Sequence, residues 1–131
     1  MKKFLSAKLS GNILISLLII LLFFHVLVLV KAIPFKIVWG GQVNNPSSIL
    51  IYEGMSVLIT IIFIIIISMK IDYINPGKFS KIVNAALWFV FVYFLFNTIG
   101  NLTSGVIVEK LIFTPVTIIM TILAFRLAIE K

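Results

Sequence analysis

A chain of 131 residues that is 62% hydrophobic and only 11% charged cannot be a soluble globule: an average soluble domain is about 45–50% apolar and roughly 25% charged, and a small domain leaves much of its surface wet. A mean hydropathy of +1.26 excludes disorder on the same ground, and the absence of cysteine removes disulfides, thiolate metal sites and cysteine nucleophiles. The net charge of +7 would suggest nucleic acid in a soluble protein, but the cations stand between apolar runs, where membrane topology accounts for them.

Crossing a bilayer takes about 20 mainly apolar residues. Four stretches qualify, 12–33, 48–69, 82–101 and 109–129. The first is interrupted only by Ser16 and His25 between Ile13 and Val30. It follows Lys2, Lys3 and Lys8 as a signal peptide would. Its apolar run is longer than the usual h-region of about 7–15 residues, and no small-x-small cleavage site follows. An uncleaved first helix is expected. A loop with Pro34, Gly40, Gly41 and Pro46 leads to the second span. That span is rich in β-branched Ile, yet its length argues for a helix, as does the need of a backbone in lipid to bond to itself. Asn75, Pro76 and Gly77 turn the chain before the third span, and Ser104 and Gly105 before the fourth. Pro115 should start or kink the last helix. No internal repeat is visible, so an inverted-repeat transporter gains no support. The expectation is an all-α, single-domain bundle of four transmembrane helices.

Short loops rich in Lys and Arg stay in the cytoplasm. Lys2, Lys3, Lys8, Lys70, Lys78, Lys81, Arg126 and Lys131 fall on one side, and only Lys31, Lys36 and Lys110 on the other. Both termini are therefore expected to be cytoplasmic. Trp39 and Tyr52 then lie near the outer interface and Tyr73 near the inner one. Arg126 is expected to snorkel from the inner end of the fourth helix.

Polar residues within an apolar span are costly, so they are the informative ones. Glu53 lies near the outer end of the second helix, and Ser56 and Thr60 share its face. His25 lies at similar depth in the first. Tyr93, Asn97, Gly100, Asn101 and Ser104 fall on one arc of the third, and Thr114 and Thr117 enter the fourth. The inner halves are nearly all apolar. A channel or proton wire needs polar groups through the full thickness, so an outward-facing polar pocket with a closed apolar floor fits better. The apolar segment 33–42 could fold over it as a lid. Candidate ligand-binding residues are His25, Glu53, Asn97, Asn101, Trp39 and Gln42.

Each has a plainer role. Glu53 could sit at the interface with its carboxylate turned to water, which suits a helix N-terminus. His25 could bond structurally to a neighbouring helix, rather than handle protons as a residue type that titrates near neutral pH. Asn97 and Asn101 could hold helices together. Trp88 and the Phe-rich stretch 89–96 are packing or lipid contacts. Asn101-Leu102-Thr103 matches a glycosylation sequon, discounted at the membrane edge. Walker A, GxSxG and HExxH signatures are absent. No metal or cofactor is expected with one His and one buried acid.

The strings Ile33-Pro34-Phe35-Lys36-Ile37-Val38-Trp39-Gly40-Gly41, Phe96-Asn97-Thr98-Ile99-Gly100-Asn101 and Phe113-Thr114-Pro115, with the closing Phe125-Arg126-Leu127-Ala128, resemble those of small, uncharacterised four-helix bacterial membrane proteins. The resemblance covers nearly the whole chain and implies a bacterial inner-membrane location, with no reaction or ligand attached. Small multidrug transporters also have four helices and one membrane Glu, but theirs lies in the first helix and Glu53 lies in the second.

The expected function is that of a non-enzymatic integral membrane protein whose outward polar cluster takes a small ligand or partner. The alternatives are a proton-coupled transporter subunit using Glu53 and a lipid-modifying enzyme using His25 and Glu53. Expected partners are the bilayer and, within it, a second copy or another membrane protein; nucleic acid is not among them.

Overall fold

The computed structural model describes residues 6–30, 46–107 and 109–130. Four helices run through them: α1 (Ala7–Leu29), α2 (Pro46–Lys70), α3 (Ser80–Leu102) and α4 (Thr114–Ala128). There is no strand among the described residues. Stretches Ala7–Leu29, Leu50–Lys70, Gly77–Leu102 and Lys110–Ala128 are each long and apolar enough to cross a bilayer. The surface fits that role. Ile20 and Phe23 on α1, Phe89 and Phe96 on α3 and Leu111 ahead of α4 are each about two-thirds exposed, large apolar side chains of the kind that a membrane or another protein covers.

The helices run alternately up and down. α1 packs on α2 and α4, and α3 on α4 and α2. Bonds between distant residues show which ends meet. Tyr73 donates to Asn12, and the Lys8 ammonium stands 5.4 Å from the Tyr73 ring. Lys70 donates to Asn84 and to the backbone carbonyl of Glu130. The start of α1, the α2–α3 connection and the end of α4 therefore share one end of the bundle, called here the terminal end. His25, Asn101 and Phe113 lie at the far end.

The core fills the terminal half and the middle. Leu14, Leu18, Ile67, Leu87, Val90 and Leu127 are all essentially unexposed. α1 approaches the end of α2 closely because residue 11 is glycine. A Cβ there would stand 2.6 Å from Ile71 Cγ2.

Helix boundaries differ from the expected spans for local reasons. α1 begins five residues earlier than 12, because the Ser6 side chain accepts from the Leu9 N–H at 3.0 Å and caps the first turn. It ends at Leu29 rather than 33. α2 begins at Pro46, where a missing N–H costs nothing. It ends in a Schellman-type cap. Tyr73 N–H reaches the Ser68 carbonyl at 2.9 Å and Asp72 N–H the Met69 carbonyl at 3.3 Å, with Asp72 at φ 67°. The fourth span is not one regular helix. Residues Glu109–Phe113 form a π-turn before α4. Pro115 explains it: the ring lacks an N–H and crowds the carbonyl one turn back, so the backbone widens there.

Two expectations are corrected at the terminal end. Arg126 does not snorkel. It is 2% exposed, and its guanidinium donates to Glu130 Oε2 at 2.8 Å. A carboxylate one turn on supplies inside the bundle what a headgroup would supply outside. The second concerns the inner halves, expected to be nearly all apolar: Lys70, Asn84 and Glu130 join α2, α3 and the end of α4 there.

Candidate functional site

Above the packed core, towards the far end, the four helices part around a cavity of about 160 Å³. Each helix contributes. α1 brings Leu18, Leu21, Phe24 and His25; α2 brings Glu53, Ser56, Ile59, Thr60 and Phe63. α3 brings Tyr93, Phe94, Asn97 and Asn101, and Phe113 and α4 supply the remaining wall. The floor is apolar. Phe63 meets Phe94 edge-on at 5.7 Å and Tyr93 at 5.1 Å, and Leu18 and Met120 lie fully buried beside them.

The polar wall is built by α-helical spacing. Glu53, Ser56 and Thr60 are buried one above another on α2, as the three- and four-residue steps require. Glu53 has no exposed surface, so the expectation that its carboxylate turns to water is wrong. Pro46 starts α2 early enough to place residue 53 two turns inside. Across α1, His25 Nδ1 stands 2.6 Å from Glu53 Oε2. An ionised carboxylate only accepts, so the imidazole donates to it through Nδ1. Among the described residues Nε2 has no hydrogen-bond partner. The His25 side chain is 16% exposed. The Phe24 ring meets those of His25 at 5.9 Å and Phe113 at 5.2 Å, both in T-shaped pairs.

The serine and threonine hydroxyl groups of the wall are already committed. Ser56 donates to the Tyr52 carbonyl at 2.9 Å, Thr60 to the Ser56 carbonyl at 2.7 Å and Thr117 to the Phe113 carbonyl at 2.9 Å. Each bonds back one turn, a habit of Ser and Thr in helices. Their oxygens are left with lone pairs only.

Four of the six candidates thus border one hollow: His25, Glu53, Asn97 and Asn101. Their roles there differ. Asn101 Nδ2 reaches Thr117 Oγ1 at 3.4 Å, a long bond from α3 to α4. Asn97 makes no hydrogen bond among the described residues and is the exposed member of the wall. It follows Tyr93 by one turn, and Tyr93 packs on Phe63 of α2. Trp39, Gln42 and the segment 33–42 considered as a lid lie outside the described residues. Sequence reasoning passed over Phe24 and Phe113, although each adjoins a singled-out polar residue. It also passed over the α3–α4 contact of Thr98 with Thr121, 3.3 Å between hydroxyls. No group of three His, Cys, Asp or Glu able to hold a metal occurs among the described residues.

Comparison with protein-family models, with curated proteins and with solved structures gives no match.

Proposed function

We propose that the protein is an integral membrane protein, non-enzymatic, that holds a small ligand in the cavity between its four helices. What carries this is an ionisable pair without exposure on its acidic side, Glu53 with His25 at 2.6 Å, on the wall of a hollow that the rest of the core does not fill. Burying a carboxylate in an apolar bundle costs several kcal/mol, and a purely structural bundle gains nothing by leaving space beside it. The cations of the terminal end, Lys8, Lys70, Lys78, Lys81 and Arg126, favour a cytoplasmic position for that end. The cavity then faces the outer leaflet, in a bacterial inner membrane if the sequence resemblance is followed.

Binding is favoured over passage because the buried Leu14, Leu18, Ile67 and Leu87 close the way to the terminal end. It is favoured over nucleophilic catalysis because Ser56 and Thr60 spend their protons on backbone carbonyls and not on His25. The test compares small molecules retained by the protein extracted in mild detergent with those retained by Ser56→Phe, which fills the hollow. A low-mass species held by the first and missing from the folded variant is expected. Identical profiles would refute the reading.

A further inference from the structure

We propose that the ligand is an uncharged carboxamide on an apolar body, its amide paired edge to edge with the side-chain amide of Asn97. This rests on the cavity being a ligand site and adds the class of ligand. Three features of the wall select that class, and none depends on which of Glu53 and His25 holds the proton.

The first is where hydrogen-bonding capacity remains unspent. Glu53 is fully buried, bonds to His25 at 2.6 Å and has further interactions, so the ionisable pair is engaged within the protein. Asn97 and Tyr93 are not. They stand one turn apart on α3, both line the cavity, and neither side chain has a hydrogen-bond partner among the described residues. An amide without a partner in an apolar span is costly, and a ligand that bonds to it removes that cost.

The second is hydrogen-bond polarity. The wall offers donors in the Asn97 amide and the Tyr93 hydroxyl. It offers acceptors in the Asn97 carbonyl oxygen and in Ser56 and Thr60, whose hydrogens go to backbone carbonyls. Neither Lys nor Arg is among the lining residues. A complementary head therefore carries both kinds of group and no charge. A ketone and a carboxylate only accept, and an ammonium only donates. A carboxamide sets an N–H beside a C=O in one plane, the counterpart of the Asn97 side chain, so two bonds form side by side, as when asparagine reads the edge of adenine. The second N–H of the ligand then matches the lone pairs of α2, and the second lone pair of its carbonyl matches the Tyr93 hydroxyl.

The third is size and lining. A cavity of about 150 Å³ holds benzene, so the 160 Å³ here takes one ring or an aliphatic body of that bulk. Phe24, Phe63 and Phe113 line that space and suit an apolar body. Asn97 is the exposed member of the wall, so the ring fills the hollow and the amide stands at its rim.

Benzamide, acetophenone, benzyl alcohol, benzylamine and benzoate share a ring and differ in the head. Binding of each to the full chain in lipid nanodiscs, with empty nanodiscs as control, is read by saturation-transfer NMR and titration calorimetry at neutral pH. Benzamide is expected to bind saturably and about tenfold or more tighter than each of the other four, the gain of a second side-by-side bond. Asn97→Ala should close most of the gap between benzamide and acetophenone. Should that variant fail to fold, the ranking of the five heads on the unaltered protein decides alone. Another head binding as tightly as benzamide, or a gap that survives Asn97→Ala, overturns the carboxamide and leaves the cavity a binding site. Absence of binding by all five also overturns the carboxamide, and the Ser56→Phe comparison then judges the site separately.

Discussion

Two side chains with opposite apparent importance show how burial and bonding decide a residue's effect. Ser10 lies on α1 with no exposed surface, and its hydroxyl has no hydrogen-bond partner among the described residues. A buried polar group without a partner costs about 1–3 kcal/mol. Alanine at this position fits the same space without the penalty and favours the helix. Ser10→Ala is therefore expected to stabilise the bundle by about 1 kcal/mol, measured as a rise in thermal midpoint in detergent. Asn97 is the contrary case. An asparagine inside an apolar span invites the assumption that it ties helices together, yet it forms no such bond and stands at the cavity mouth. Asn97→Ala should leave thermal stability within about 0.5 kcal/mol of the unaltered protein. A loss above that would show that Asn97 holds the bundle in a way its position does not suggest. Glu53 and His25 fall between these cases. Each was visible as a polar interruption of an apolar run. Their meeting depends on the register of α1 against α2, which no periodicity in either helix reveals.

At the level of the helix, the ends are where local chemistry overrides composition. The existence of four spans followed from apolar runs long enough to cross a bilayer, and all four are present. Their limits did not follow. Ser6 adds a turn to α1 through a cap that lies in a polar stretch, and Pro115 turns the approach to α4 into a π-turn. Neither effect registers in hydropathy. Nor did the hydroxyl pattern stand out, since Ser and Thr bonding back along a helix look neutral in a sequence although they decide which lone pairs a cavity presents. The cap of α2 yields a direct prediction. Asp72 holds φ 67°, a left-handed conformation that costs an L-residue with a Cβ about 1–2 kcal/mol and costs glycine almost nothing. Its negative charge also lies next to the carbonyl end of α2, where the dipole is unfavourable. Asp72→Gly should raise stability by about 1 kcal/mol, offset in part by the greater freedom of glycine in the unfolded chain. Thermal unfolding of the variant would show this, and a lower midpoint would mean that the Asp72 side chain contributes more than its backbone costs.

For the molecule as a whole, the arrangement of charge and of the cavity makes one claim about sidedness. The terminal end gathers Lys8, Lys70, Lys78, Lys81 and Arg126, while the cavity, with Glu53 as its acid, lies towards the far end. If the positive end faces the cytoplasm, ligand reaches the cavity from the outer leaflet and the packed core stands between it and the cell interior. The chain has no cysteine, so single cysteines report position without any background. Asn75 and Thr103 are both exposed and lie at opposite ends, one after α2 and the other after α3. In intact cells a membrane-impermeant maleimide should label Thr103→Cys and spare Asn75→Cys, and both should react once the membrane is opened. The reverse pattern would turn the molecule over and put the cavity on the cytoplasmic side. The charges can be tested as the cause. Replacing Lys78 and Lys81 by glutamine removes two of the cations beside Asn75 and should let a fraction of molecules insert inverted, seen as new labelling of Asn75→Cys. Unchanged labelling would mean that the remaining cations of the terminal end suffice to hold it in the cytoplasm.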